Sequence, residues 1–373
     1  MYPKLENKRR KSILILTIII TFFQSHALDE NFSIDKIEPF KIKGVDGKIY
    51  EKKDIFGDKG TALIFFSNHC KVSQQFQQYI ISRNKIWLKQ GIKLSVISPN
   101  YEKAILPDEL AFTDAGDSFE EMKTRAVAEN YNFPYLYDGE NQIITKSLSV
   151  KITPSAFLFN KFGKLTYCGR LGNHEKPQDY KNSEFSKAIR NLLLENYSYT
   201  RTKVYGTSVK FKKDLNLVEK VRKRYAQETV NLNYGDSRKL NFFLKQDTSY
   251  PRFFYIWTIY DNQMQTRENL ISISTNYKIF RKRGLKVYTI CICEEKEKEE
   301  ALEILKRAQL STLNYFTSAN EISEFSKLRD SEGFKTTPFC RVLNGNGKFD
   351  YGTNGLIDQK SLKNSFLRVL SKD

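Results

Sequence analysis

The stretch Ser67-Asn68-His69-Cys70-Lys71-Val72-Ser73 lies where a short apolar run ends and a helical pattern begins. The run before it, Ala62-Leu63-Ile64-Phe65-Phe66, is rich in β-forming residues and predicts a buried strand. Apolar residues then recur at helical spacing from Gln74 onward. Cys70 is therefore expected near the first turn of a helix, where unpaired N–H groups and the macrodipole stabilise a thiolate. A buried, inert cysteine is the alternative, but polar neighbours on both sides favour a reactive thiol.

Strands and helices alternate on either side of this stretch up to about residue 198. The pattern predicts a hairpin at 40–50, helices at 74–89, 119–129 and 179–194, and strands at 92–98, 155–159 and 165–168. Alternation that ends in a hairpin predicts a mixed central β-sheet flanked by helices.

The second half of the chain repeats this scheme. Strands are predicted at 253–257 and 285–293, and Thr337-Pro338 opens another strand as Thr153-Pro154 does in the first half. The intervals from Pro154 to Gly163 and from Pro338 to Gly347 are both nine residues. Proline and glycine positions that recur at the same spacing in both halves indicate duplicated domains. We therefore predict an α/β protein with domains at 30–198 and 236–373, joined by a linker segment at 199–235.

The first 27 residues have the pattern of a cleaved signal peptide. A basic segment, 8–11, precedes an apolar run at 13–23, and small residues stand at Ser25 and Ala27. The apolar run is short for a bilayer span, so an uncleaved N-terminal anchor is the less favoured alternative. The sequence thus predicts an extracytoplasmic protein, periplasmic or secreted, with no transmembrane span in the mature chain.

Charge and cysteine content restrict the functional classes. The net charge of +18 falls to +14 without residues 1–27, and the basic residues are spread along the chain. Nucleic acid is therefore not an expected partner outside the cytoplasm. Five cysteines are too few and too unevenly spaced for a disulfide scaffold. Cys291-Ile292-Cys293 has the wrong spacing for zinc, and no metal or cofactor is predicted.

The first half resembles the thioredoxin fold, and within it the redoxin branch that includes alkyl hydroperoxide reductase, thiol-specific antioxidant and peroxiredoxin-like proteins. The resemblance covers residues 36 to about 198. It is carried by four segments: 65–70 (Phe-Phe-Ser-Asn-His-Cys), 130–138, 153–159 (Thr-Pro-Ser-Ala-Phe-Leu-Phe) and 163–170.

This resemblance implies roles for individual residues. Cys70 would be the catalytic thiol, and Pro154 a cis-proline that faces it and presents backbone to an extended substrate. Ser67, three residues before the cysteine, would help to orient a peroxide. Arg170 would contribute positive charge or lie solvated on the surface. His69 would either raise the thiolate fraction by its charge or face solvent.

The chain also departs from the family pattern. Lys71 replaces the usual proline after the cysteine, and Leu63 replaces the proline that opens the motif. Ser73 stands where a dithiol protein has its second cysteine, so the site cannot resolve its product internally there. Related proteins often carry a Gly-Cys-x-Ile-Lys segment after the domain, and here Thr207 takes the place of that cysteine. Cys168 is a poorly placed candidate for a resolving thiol.

The second half looks like a degenerate thioredoxin-like domain. Its segment 257–264 is similar in shape to the thioredoxin Trp-Ala-x-Trp-Cys-x-x-Cys motif, but Asp261 and Met264 replace both cysteines. Cys291 and Cys293 share a strand face with parallel Cβ vectors, which disfavours a mutual disulfide. These two and Cys340 are expected in the core.

Two functions follow. The first is an exported thiol oxidoreductase in which Cys70, as the single nucleophile, reduces a peroxide or exchanges with a disulfide. Its partners would be a thiol reductant or a disulfide-containing protein. The alternative is a redox-inactive binding or scaffold protein that uses the groove beside Pro154. The fold alone does not separate them.

Overall fold

The computed structural model describes residues 31–245, 250–321 and 336–371. The predicted signal peptide, 1–27, lies outside the described residues. Within the described ranges, no helix has the length and apolar character that crossing a bilayer requires.

The first sheet has eight strands among the described residues, in the order β2-β1-β5-β4-β3-β7-β8-β9. A separate two-stranded ladder pairs β6 with β10. The ten strands are β1 Lys41–Gly44, β2 Ile49–Glu51, β3 Gly60–Phe65, β4 Ile92–Ser98, β5 Tyr135–Tyr137, β6 Ile152–Thr153, β7 Ser155–Asn160, β8 Leu165–Gly169, β9 Thr200–Arg201 and β10 Thr207–Ser208.

Strand β3 lies at the centre because it is apolar on both faces. It runs parallel to β4 and antiparallel to β7. Ala62 and Ile64 face one core, whereas Leu63 and Phe65 face the other. A strand covered on both sides has the continuous apolar run seen in the sequence. The helices of this half are α1 Lys71–Gln75, α2 Gln77–Lys89, α3 Phe119–Ala128, α4 Ile143–Ser147 and α5 Glu184–Leu193.

In the described residues of the second half, six strands form a sheet in the order β11-β14-β13-β12-β15-β16. Its strands are β11 Asn233–Tyr234, β12 Arg252–Trp257, β13 Lys286–Ile292, β14 Leu313–Thr317, β15 Phe339–Leu343 and β16 Phe349–Asn354. The helices of this half in the described ranges are α7 Ser237–Lys245, α8 Gln263–Phe280, α9 Lys298–Arg307 and α10 Gln359–Leu370.

The two sheets repeat one arrangement. In each, a central strand (β3 or β12) is parallel to the next strand and antiparallel to a later one that opens a hairpin. The peptide bonds Thr153-Pro154 and Thr337-Pro338 are both cis. The predicted mixed sheets flanked by helices are confirmed, and so is the cis bond at Pro154. The thioredoxin-like character of the second sheet stays a prediction.

The segment between the domains, predicted as a linker at 199–235, is structured. Strand β9 pairs with β8, and β10 pairs with β6, so the chain remains on the first domain after residue 198. Helix α6, Leu215–Ala226, follows. The contacts that join the halves include an ion pair of Lys282 with Asp108 at 2.6 Å and a hydrogen bond from Arg283 to the Ala111 carbonyl.

Candidate active site

Cys70 is the N-cap residue of α1, at the carboxyl end of β3. Its side chain is fully buried. The sulfur accepts a hydrogen bond from the Ser73 amide at 3.4 Å, and the thiol donates to the Thr153 carbonyl at 3.1 Å. Thr153 is the residue before cis-Pro154. The predicted cysteine and the predicted proline are therefore brought together, with one backbone carbonyl between them.

A buried carboxylate, Asp117, holds the loop that carries Cys70. Its oxygens accept hydrogen bonds from the Asn68 amide at 2.5 Å, the Asn100 side chain at 2.6 Å and the Ser67 hydroxyl at 3.1 Å. The ring nitrogen Nδ1 of His69 lies 2.7 Å from Oδ2. One side chain thus fixes the three residues immediately before the cysteine.

Asp117 and His69 form an ion pair whose members shift each other's pKa. Burial alone would raise the pKa of Asp117, but the His69 charge and the hydrogen bonds from His69, Asn100 and Asn68 outweigh it and lower the pKa. Burial alone would lower the pKa of His69, but the Asp117 carboxylate outweighs it and raises the pKa. The imidazolium–carboxylate form is therefore the stable one at mildly acidic pH.

The Asn68 side chain forms further hydrogen bonds that hold the same loop. It donates to the Gly116 carbonyl at 2.8 Å and accepts from the Tyr135 hydroxyl at 3.0 Å. Gln74, in α1, donates to the Asn68 carbonyl. The Asn68 side chain is therefore hydrogen-bonded through both its nitrogen and its oxygen, whereas Nε2 of His69 in the same loop is buried without a hydrogen-bond partner among the described residues.

The other predicted site residues occupy less direct positions. The Ser67 hydroxyl proton is directed to Asp117, and the Asn100 amide donates to the same hydroxyl. His69 is 2% exposed, so the solvent-facing alternative is wrong. Arg170 is partly exposed and forms an ion pair with Glu184.

Cys168 and Cys340 are poorly suited to react. Cys168 packs against the core on the Leu63 face of the sheet, and burial raises its pKa to about 11. Burial likewise raises the pKa of Cys340 to about 12. Cys291 and Cys293 are buried, as expected, in the core of the second domain. All five thiols are free.

In the second half, Asn262 is the N-cap residue of α8, as Cys70 is of α1, and it is preceded by Asp261, which the sequence comparison aligned with the first cysteine of the thioredoxin motif. One oxygen of Asp261 accepts from the Thr337 hydroxyl at 2.7 Å, and the other accepts from the Thr258 amide at 2.7 Å. Thr337 precedes cis-Pro338, as Thr153 precedes Pro154. The Asp261 carboxylate therefore contacts the side-chain hydroxyl of the residue before cis-Pro338, whereas the Cys70 thiol contacts the backbone carbonyl of the residue before cis-Pro154.

Sequence reasoning missed Asp117 and Asn100, the two residues on which the loop depends. Asn100 comes two residues after the end of β4, which neighbours β3 in the sheet. Polar residues beyond the carboxyl ends of neighbouring parallel strands meet at one edge, and that position was the available signal. Asp117 stands in a long polar stretch whose path was not predictable.

Comparison with known families decides the assignment of the first domain, because residues 34–168 match the AhpC/TSA family. Residues 34–168 form an AhpC/TSA domain. It contains Ser67, His69, Cys70, Asp117 and Pro154. No curated protein matches the chain.

Solved structures also resemble the chain over half of its length or less. An uncharacterised conserved protein of Geobacillus kaustophilus is 25% identical, covers 49% of this chain and 93% of its own, and gives a TM-score of 0.41. A hypothetical protein of Sinorhizobium meliloti is 20% identical over 50% of this chain and 96% of its own, with a TM-score of 0.42. The bacterioferritin comigratory protein of Xanthomonas campestris, described with alkyl peroxide reduction activity, is 12% identical over 42% and 92%, with a TM-score of 0.32.

Replacing Asp117 with Asn should destabilise the AhpC/TSA domain most at mildly acidic pH. Removing one partner of a buried ion pair costs about 3–5 kcal/mol. The raised pKa of His69 stabilises the fold fully below about pH 6.5, and this contribution is lost as pH rises through the raised value. The lowered pKa of Asp117 stabilises the fold above about pH 4, and this contribution is lost as pH falls through the lowered value.

The measurement is the melting temperature of wild type and Asp117→Asn at about pH 5.5 and about pH 9. The matched control is Glu120→Gln, because that carboxylate is 78% exposed and pairs with Lys123, which is itself 42% exposed. We expect the control to lose less than about 1 kcal/mol at either pH. An Asp117→Asn deficit that is equal at both pH values would contradict the ion-pair assignment.

Proposed function

We propose that the protein is a thiol oxidoreductase of redoxin type in which Cys70 is the single nucleophile. The observation that carries the proposal is the placement of the Cys70 sulfur. It lies at the first turn of α1, accepts the Ser73 amide hydrogen bond and contacts the residue before cis-Pro154. A backbone N–H aimed at a sulfur stabilises the thiolate, which is the nucleophilic form. Membership of residues 34–168 in the AhpC/TSA family supports the same chemistry.

With a peroxide as substrate, the thiolate attacks one peroxide oxygen. A sulfur–oxygen bond forms, the oxygen–oxygen bond breaks, and the other oxygen leaves as an alcohol or water after taking a proton. Cys70 is oxidised by two electrons to the sulfenic acid while the peroxide is reduced. With a disulfide as substrate, the thiolate instead forms a mixed disulfide and releases the other sulfur as a thiol.

Completion of the cycle requires a thiol from outside the site. Ser73 stands beside Cys70 at the position of a second cysteine, and its hydroxyl accepts from the Ser67 amide at 3.4 Å. A hydroxyl cannot form a disulfide, so an external thiol condenses with the sulfenic acid and releases water. A second thiol then frees Cys70 and leaves as a disulfide with the first. Partners of this class are a thiol reductant or a protein dithiol.

His69 acts in this proposal as a positioning residue. Its charge is offset by Asp117, so the pair as a whole adds little net field at the thiol. Its contribution is to hold the backbone of the loop, and with it the sulfur, against the Thr153 carbonyl. Ser67 serves the same purpose through its hydrogen bond to Asp117.

We also propose that the protein works outside the cytoplasm. The support is the pattern of residues 1–27, with a basic segment, a short apolar run and small residues at the cleavage position. An oxidising compartment suits a centre that exchanges with external thiols and disulfides.

A binding protein without redox activity is the second candidate, and two observations favour it. Cys70 is fully buried. The second domain, which we interpret as thioredoxin-like, carries Asp261 where a thiol would stand. In that case the thiol is a core residue and the fold serves as a scaffold.

Limiting hydrogen peroxide or limiting iodoacetamide should modify Cys70 before any other cysteine at neutral pH. The expected product is one added group for each chain, located at Cys70 by intact mass and peptide mapping. Cys70→Ser should lose this product, whereas Cys168→Ser should retain it because a pKa of about 11 keeps Cys168 protonated. Labelling of Cys70 no faster than that of a free cysteine would favour the scaffold.

Replacing Ser73 with Cys should let the site resolve its own oxidation. The new thiol would stand next to the Cys70 sulfur, whose hydrogen bond from the residue-73 amide is 3.4 Å long. Peroxide should then yield an internal disulfide, detected as the loss of two hydrogens, in place of an accumulated sulfenic acid. Ser73→Ala is the control and should accumulate sulfenic acid as wild type does. A Ser73→Cys protein that gives only sulfenic acid would contradict this geometry.

A further inference from the structure

The chain returns to the active site after the AhpC/TSA domain ends. Residues 205–210, here called the strap, run antiparallel to β6. Thr207 pairs with Thr153 and Ser208 with Ile152. The Val209 amide continues the ladder with a 2.9 Å hydrogen bond to the Lys151 carbonyl. In the described residues β6 has no other strand partner, so the strap takes up its pairing edge.

The strap lies against the atom that the thiol contacts. The Thr153 carbonyl accepts the hydrogen bond from Cys70, and Gly206 packs on the same carbonyl oxygen. A Cβ at residue 206 would stand 1.9 Å from this oxygen, and the φ of Gly206 is +148°. Only glycine allows this approach. The strap and the sulfur therefore share one backbone carbonyl.

The strap is fastened at both ends. At its far end the Lys210 amide donates to the Asn100 side chain at 2.8 Å, and the Lys210 ammonium pairs with Glu109. The Lys210 carbonyl accepts from the Tyr101 amide at 2.9 Å. At its near end the Tyr205 ring stacks on His174 with 4.8 Å between centroids. These contacts hold both ends of the strap on the first domain.

An extended polypeptide binds a sheet edge by adding a strand, and the main-chain hydrogen bonds supply most of its affinity. On β6 those hydrogen-bonding groups are already used by the strap. We infer that the strap, with Gly206 at its closest point, is a specificity-determining element that excludes polypeptide disulfides from Cys70 and admits small oxidants. The inference rests on the proposed function, because it names what that thiol accepts.

The same geometry explains why a small molecule is admitted. Gly206 is exposed and has no side chain. Fewer atoms of the strap therefore separate the Thr153 carbonyl from solvent at this position than elsewhere. A peroxide or a small disulfide needs a slight local displacement to reach the sulfur. A polypeptide needs the whole ladder of β10 to leave β6, together with the contacts of Lys210 and Tyr205.

Two mixed disulfide probes that release the same leaving group test the effect of probe size without a difference in the leaving group. One joins thionitrobenzoate to a single cysteine, and the other joins it to the cysteine of an unfolded peptide about 15 residues long, enough to add a strand. In both, the Cys70 thiolate attacks the cysteine sulfur, a new disulfide forms, and the old disulfide bond breaks to release the thionitrobenzoate anion. Its absorbance gives the rate, and peptide mapping places the adduct on Cys70.

The full-length protein is compared with Gly206→Ala, in which the new methyl group forces the strap away from Thr153. The matched control is Gly47→Ala, a glycine at φ +84° with nothing near its hypothetical Cβ, so it carries the backbone strain without touching the strap. Wild type and Gly47→Ala should react with the small probe at least tenfold faster than with the peptide probe. Gly206→Ala should bring the two rates within about threefold. Cys70→Ser supplies the blank rate.

A peptide probe that reacts with wild type as fast as the small probe would overturn the inference and leave the proposed function intact. A Gly206→Ala protein that keeps the wild-type ratio would also overturn it. No reaction of wild type with either probe above the blank would overturn the inference, whereas the proposed function is tested separately by the modification of Cys70 with limiting hydrogen peroxide. If Gly206→Ala does not fold, Val209→Pro replaces it, because proline deletes the bond to Lys151 and weakens the same ladder. The same change in ratio is expected, and its absence overturns the inference.

Discussion

The buried carboxylate of Asp117 is the constraint on which the active-site loop depends. An isolated charge in this position would be strongly unfavourable. Here it is compensated by the His69 imidazolium and by hydrogen bonds from Ser67, Asn68 and Asn100. These donors include the three consecutive residues before Cys70. Loss of any of these hydrogen bonds would leave the buried carboxylate less compensated, so the loop is held in one conformation. The position of the sulfur is thus set by a group 47 residues away in the chain.

The same network connects the thiol loop to the strap. Asn100 donates to Asp117 and to Ser67, while its carbonyl oxygen accepts from the Lys210 amide. One side-chain amide therefore spans the carboxylate that holds the loop and the segment that covers the sulfur. Under the proposed function, the reactivity of Cys70 and access to it depend on neighbouring parts of one polar cluster, and a change in Asn100 would disturb both.

The sequence was sufficient for the features that local pattern determines. The end of β3, the start of the helix beyond Cys70 and the hairpin of β7 and β8 follow from apolar periodicity and turn residues, and the cis bond at Pro154 followed from the family resemblance. The role of Asp117 did not follow, because it depends on the path of a long polar segment and on which charges that path buries. The position of the strap could not be predicted from the sequence either. Two residues of strand, β10, give no periodic signal, and Gly206 gains its meaning only from the Thr153 carbonyl opposite. In the second half, the hydrogen bond between Asp261 and the Thr337 hydroxyl could not be predicted from the sequence.

The family match ends at residue 168, but the physical unit around Cys70 extends to Lys210. A fragment cut at residue 198 would retain every residue of the sequence motif and lose β9 and β10. The edge of β6 and the sulfur beside it would then face solvent together. An open strand edge recruits other chains, and a thiol at that edge would couple them covalently. The isolated fragment would therefore associate with other copies of itself and form intermolecular disulfides through Cys70. The boundary of the folding unit is set by strand β10, which returns to pair with β6.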